Sequence, residues 1–162
     1  SNKHRVFDET FYESLVGVSC AFKEDVLKKK GFGYLVPNKE NQPVFGAIFD
    51  SCIFPDMDAS LQTKITLLMP DCSESKARDI LNSTLQKHLN IEQTPSHIQV
   101  FNYDKALVRY PVGFYKILDN WLAEIKVKAP WLECCGNYRH PPGVNYCVAF
   151  SKEIAKDYGV IR

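Results

Sequence analysis

Apolar residues fall at every second position in several stretches of the chain. In Ser14 to Lys23 (SLVGVSCAFK), Leu15, Gly17, Ser19 and Ala21 alternate with Val16, Val18, Cys20 and Phe22. That is the period of a strand. Further strands are predicted at about 31–37, 44–51, Thr63–Met69 and His97–Tyr103, and a short one over Trp131–Cys135. Between them the period changes to that of a helix. Ala77, Ile80, Leu81, Leu85 and Leu89 form a stripe over about 73–89, with Asp71 or Ser73 as cap. Phe114, Ile117, Leu118, Trp121, Leu122 and Ile125 form another over about 114–127, ending before Pro130. A last helix runs from about Pro142 to Tyr158 and is closed by Gly159. This order predicts an α+β fold, a mixed or antiparallel sheet with about three helices, in one unit.

The most informative stretch is Gly31-Phe32-Gly33-Tyr34-Leu35-Val36-Pro37, followed by Pro43 to Ser51 (PVFGAIFDS). It reads as two strands joined by a polar turn, Asn38-Lys39-Glu40-Asn41-Gln42. Alternation sets Phe32, Tyr34 and Val36 on one face, Gly33 and Leu35 on the other. Glycines within a strand cost stability and often mark the close approach of a ligand or of another backbone. A face of glycine, leucine and aromatics suits a flat apolar molecule. On spacing alone, an ordinary bulged hairpin in a packed core is the commoner case.

A second candidate place lies near the C-terminus, where Gly136 and a short loop lead into the last helix through Pro141-Pro142-Gly143-Val144. Unpaired N–H groups at a helix start suit an anion or an electron-rich ring. A plain β-turn-α connection explains the same residues. Arg139 and His140 in this loop, and Lys28-Lys29-Lys30 beside the GFG strand, read as solvated charges. The alternatives are ligand contact for the first pair and contact with anionic lipid for the lysines.

Composition narrows the function classes. With 20 Lys+Arg against 19 Asp+Glu, the net charge of +1 provides no field to attract nucleic acid. The 162 residues suffice for one ordinary domain with a sizeable core. No apolar run reaches the roughly 18–20 residues of a membrane span, and the first residues do not read as a secretory signal. Six cysteines are present, but without a C-x-x-C, and the four histidines are not at ligand spacing. Reduced structural thiols and no metal site are expected.

Taken in order, the motifs resemble the C-terminal part of the protoporphyrinogen oxidase family, flavoproteins of the amine-oxidase-like superfamily. The resemblance covers about residues 14–159. It is carried by GFGYLVP, VFGAIFDS, Phe54-Pro55, TKITLLM, Pro95-Ser96, ALVRYPVGF at 106–114 and the segment from Gly136 to Cys147. The family has a closely similar G-F-G-x-L-V-P and an A-x-P-Q-Y-x-x-G-H segment. The latter reads Ala-Leu-Val-Arg-Tyr-Pro-Val-Gly-Phe here.

The resemblance implies oxidation of protoporphyrinogen IX to protoporphyrin IX in heme biosynthesis, with non-covalent FAD and oxygen. By family analogy it implies a peripheral location at the mitochondrial inner membrane, and it leaves a homodimer open. Residues of about 14–110 would correspond to the substrate domain, those of about 111–159 to the flavin-contacting end. Carried over by position, Phe32, Gly33, Leu35 and Leu68 would line the substrate pocket. Tyr115, Gly136, Pro142, Gly143 and Val144 would meet the flavin. No catalytic residue is assigned, because a flavin accepts hydride and asks the protein mainly for orientation and exclusion of side reactions. The chain contains no G-x-G-x-x-G turn leading into a helix, the device that holds a dinucleotide pyrophosphate. It is therefore expected to be a fragment or truncated homologue, inactive by itself. Two alternatives remain: a catalytically degenerate module that binds tetrapyrrole or a partner, and an unrelated α+β domain.

Overall fold

The computed structural model describes residues 12–56, 60–139 and 143–160. They divide into two units, one spanning Ser14–Leu107 and the other taking the described residues on either side of it. The first unit holds a sheet of order β2-β3-β4-β1-β5. Its strands are β1 (Tyr12–Phe22), β2 (Gly33–Leu35), β3 (Gly46–Ile48), β4 (Thr63–Pro70) and β5 (His97–Val108). The registered pairs β2–β3, β3–β4 and β4–β1 are all antiparallel.

Alternation decides the two faces. Val16, Val18, Cys20 and Phe22 of β1 stand beside Met69, Leu67, Ile65 and Thr63 of β4, and all eight are buried. Helix α2 (Glu74–Leu89) supplies Ala77, Leu81 and Leu85 to that same core. Thr63 is the buried polar residue of this layer, and its hydroxyl is satisfied twice. It donates to the Glu24 carbonyl at 2.9 Å and accepts from the Val26 amide at 3.0 Å, fastening the 23–27 loop to the start of β4.

Ser73, the N-cap of α2, accepts from the Lys76 amide at 3.4 Å. Asn90 ends the helix in the left-handed region (φ 53°), and the amide of buried Ile91 returns to the Leu85 carbonyl at 2.9 Å.

The sequence placed a strand over about 44–51, but pairing is confined to Gly46–Ile48 and Asp50–Ile53 forms the short helix α1. The Phe49 carbonyl accepts the Cys52 amide at 2.9 Å, turning the chain before the apolar run ends. The predicted strand at Trp131–Cys135 is absent. The Leu132 amide bonds the Ala129 carbonyl at 2.9 Å, and Trp131 is exposed, so the segment turns instead of pairing. The second unit has helices α3 (Phe114–Lys128) and α4 (Val144–Asp157), making four α-helices among the described residues where about three were expected. Its own small core is Phe114 and Leu118 with Tyr110, Trp121, Leu122 and Tyr138.

Candidate functional site: an open sheet face and a glycine loop

Helix α2 covers one face of the sheet; the other carries Gly33, Leu35 and Leu68 of the four sequence-predicted substrate residues. Register aligns Leu35 of β2 with Gly46 of β3, Gly46 with Leu68 of β4, and Leu68 with Gly17 of β1. The next row is Gly33, Ile48, Thr66 and Ser19. Gly33, Leu35 and Leu68 therefore share a face. Leu35 is 85% exposed, which leaves a large apolar side chain without cover in this unit. Phe32 precedes β2 and is exposed, outside both rows.

Sequence reasoning missed the residues that complete this face. A Cβ on Gly17 would meet the Tyr103 ring at 3.5 Å, the Leu68 side chain at 3.9 Å and Phe101 at 4.0 Å. Phe101 and Tyr103 stack with centroids 6.3 Å apart. Phe101, Tyr103 and Leu107 alternate in the sequence, and β5 runs to Val108, five residues beyond the end at Tyr103 that the pattern predicts. Gly17 between Leu68 and the two rings keeps the centre of the face low.

The glycines of the hairpin serve its backbone. A Cβ on Gly33, at φ 141°, would lie 2.1 Å from the Ala47 carbonyl oxygen, and one on Gly46 would lie 2.2 Å from that of Tyr34. The close partner expected for Gly33 is thus the neighbouring strand.

At the second row lies a cavity of about 450 Å³, mostly apolar in lining, to which Ser19, Asp50, Lys64, Thr66, His97 and Gln99 add polar groups. Thr66 Oγ1 donates to Asp50 Oδ2 at 2.8 Å, which leaves Ser19 Oγ, also 2.8 Å away, to donate to Thr66. Cys20 borders this cavity. Burial, followed by the Asp50 carboxylate, pushes its thiol up to about 12, so it stays protonated and unreactive. All six cysteines are free, and among the described residues no cluster of His, Cys, Asp or Glu could hold a metal.

The residues predicted to meet flavin lie in the second unit. Tyr115, half-exposed on α3, stacks on Tyr110 with centroids 5.9 Å apart. Burial raises the Tyr110 phenol above its ordinary range, and its hydroxyl donates to the Asn137 carbonyl in the loop after Gly136. Tyr115 and that loop are thereby tied to one aromatic cluster. Gly136 adopts φ 149° and its carbonyl accepts the Arg139 amide at 3.1 Å. Arg139 lies over the Phe150 ring at 5.0 Å, a cation–π contact. Gly143 precedes α4 in extended backbone with no side-chain cap, and Val144 is exposed. Gly143 offers no capping side chain to the first-turn amides of α4, and such amides suit an electron-rich partner. Pro142 lies outside the described residues.

The α+β fold of this chain is shared with two solved structures. A protein from Exiguobacterium sp. described as a candidate protoporphyrinogen oxidase superposes at TM-score 0.70 and 16% identity, over 92% of this chain and 35% of its own. Reduced UDP-galactopyranose mutase superposes at TM-score 0.59 and 12% identity, over 83% and 30%.

In sequence, the chain is similar to part of protoporphyrinogen oxidase. The Dictyostelium discoideum enzyme is 26% identical over 190 residues, covering 95% of this chain and 36% of that protein. The bovine enzyme is 23% identical (88% and 32%), and the mitochondrial enzyme of Nicotiana tabacum 28% (81% and 28%). The chain thus spans about a third of the length of the curated relatives it matches. No family model matches it.

Proposed function

We propose that this chain forms the macrocycle-binding wall and one flavin edge of a protoporphyrinogen-oxidase-like oxidoreductase, with protoporphyrinogen IX as its substrate. The observation that carries the reading is the registered row Leu35–Gly46–Leu68–Gly17, flanked by the stacked Phe101 and Tyr103. Two glycines keep the row flat, and its side chains are carbon only. Such a row holds a planar apolar ring by area, and neither of its side chains, Leu35 and Leu68, can transfer a proton.

FAD, when bound, supplies the hydride acceptor. The residues of this chain that would hold it are Tyr115, Gly136, Pro142, Gly143 and Val144. The uncapped start of α4 fits one edge of an electron-rich ring. The chain lacks a pyrophosphate-binding glycine turn, so the dinucleotide would be held by a part that the relatives have and this chain does not match. The Nicotiana relative's mitochondrial name supports a mitochondrial setting for this chain too, and an Arabidopsis thaliana relative is named chloroplastic/mitochondrial. A peripheral place at the inner membrane rests on the family resemblance alone; among the described residues no helix is long and apolar enough to cross a membrane. The same missing turn favours a second reading, a module that binds tetrapyrrole without oxidising it.

Titration of the chain with protoporphyrin IX, followed by porphyrin absorbance, tests the wall. Saturable binding is expected, weakened about tenfold or more by Leu68→Lys, which charges the open face and spares the buried one. Absence of saturation, or indifference to that substitution, sinks both readings. Supplementing a binding-competent chain with the missing part of a relative then separates them, since only the enzyme reading predicts oxidation of protoporphyrinogen.

A further inference from the structure

We propose that the cavity between the Lys28–Lys30 turn and the C-terminal end of α2 is a binding site for an amphiphilic anion. The ligand class is a phosphate or carboxylate head on an apolar stem.

This cavity has a volume of about 460 Å³ and is lined by Leu27, Lys28, Lys29, Tyr34, Phe49 and His88 among others. That volume falls within the usual range for small-molecule sites. The cavity is separate from the macrocycle wall. Tyr34 pairs with Ala47 and packs against the α2-side core, whereas Leu35 and Leu68 stand on the opposite face.

Its lining is divided in a way that selects the ligand. Leu27 and Phe49, each 6% exposed, make an apolar floor continuous with the core. Three lysines stand at the rim, and no Asp or Glu lines the cavity. Lys30 is already committed to Asp25, whose carboxyl its hydrogen bond holds below the ordinary range. Lys28 and Lys29 form no ion pair among the described residues, so two ammonium groups remain for a ligand.

The Tyr34–His88 pair adds no negative charge. Tyr34 Oη lies 2.9 Å from His88 Nδ1, and burial pushes the phenol up to about 12, so it stays protonated at neutral pH. The negative end of α2 is partly satisfied as well, because Asn90 and Ile91 amides take the Gln86 and Leu85 carbonyls. The net field at the mouth is positive. An inorganic anion would use the lysines and leave the floor idle; a neutral apolar molecule would do the reverse. A molecule bearing both uses both.

The test is amide chemical-shift titration of the chain with short-chain (dihexanoyl) phosphatidate, inorganic phosphate and zwitterionic dihexanoyl phosphatidylcholine. The proposal expects saturating shifts at 27–34 and 88–90 with phosphatidate, at least about tenfold tighter than with either comparator. A Lys28→Ser/Lys29→Ser double substitution should weaken phosphatidate binding about tenfold, while Lys39→Ser, on the 38–40 turn outside the cavity lining, leaves it unchanged. Co-sedimentation with phosphatidylcholine vesicles, with and without phosphatidylserine, distinguishes the sources. Lys28/Lys29-dependent sedimentation with the anionic vesicles identifies a bilayer headgroup, and its absence alongside phosphatidate binding identifies a soluble amphiphile. Equal affinity for phosphate and phosphatidate, equal affinity for the zwitterion, or binding that survives the double substitution would overturn the site.

Discussion

Gly33 and Gly46 each face a carbonyl oxygen of the neighbouring strand at a distance that leaves no room for a methyl group. Gly31, two residues earlier, has nothing within 4 Å of a Cβ built on it. The GFG motif therefore contains one glycine that the hairpin requires and one that it does not. Gly33→Ala should lower stability by about 1–3 kcal/mol through overpacking, and Gly31→Ala should stay within roughly 0.5 kcal/mol. Urea denaturation of the two variants checks this, and equal stabilities would remove the steric argument. The sequence marked these glycines as places of close approach but could not name the partner. That partner sits on a strand whose register exists only in the folded chain.

At the scale of elements, α2 was legible because its signals agree. Ser73 is a good cap, the apolar stripe repeats at helical spacing, and Glu74 and Arg78 pair across one turn at 2.8 Å. Cap and core differ in what they contribute. Ser73→Ala leaves one first-turn amide without its partner and should cost about 1 kcal/mol. Leu81→Ala opens a cavity at a fully buried position and should cost about 2–5 kcal/mol. Thermal or chemical melts of both variants test that order, and a cap variant as unstable as the core variant would contradict it. The elements misjudged were those with weak local signals. Trp131–Cys135 alternates over only a few residues, too few to hold a strand without an edge to pair with. The run at 44–51 is apolar enough for a longer strand, yet Phe49 turns it into α1, and Asp50 accepts from Thr66 on β4. A contact with a strand more than a dozen residues away leaves no periodic trace.

For the molecule as a whole, similarity extends over nearly the entire chain but only about a third of each relative. The chain carries a sheet face and a helix start, without a turn to hold a dinucleotide. Purified alone, or after incubation with FAD and gel filtration, it should carry no stoichiometric flavin absorbance. A yellow, fully loaded preparation would show that the residues of this chain suffice.

The sequence by itself determined the α+β class, which strands and helices carry the core, and the family whose motifs the chain resembles. The first two follow from periodicity and residue type along the backbone, the third from the order of motifs such as GFGYLVP and TKITLLM. Only the tertiary structure decided which residues share the open face. Gly17, Gly46, Phe101 and Tyr103 join Leu35 and Leu68 through antiparallel register and side-chain packing between strands distant in sequence. The same holds for the cavity below Lys28 and Lys29, where His88 reaches Tyr34 across 54 positions. Pairing across such separations is a property of the closed chain, and no local pattern encodes it.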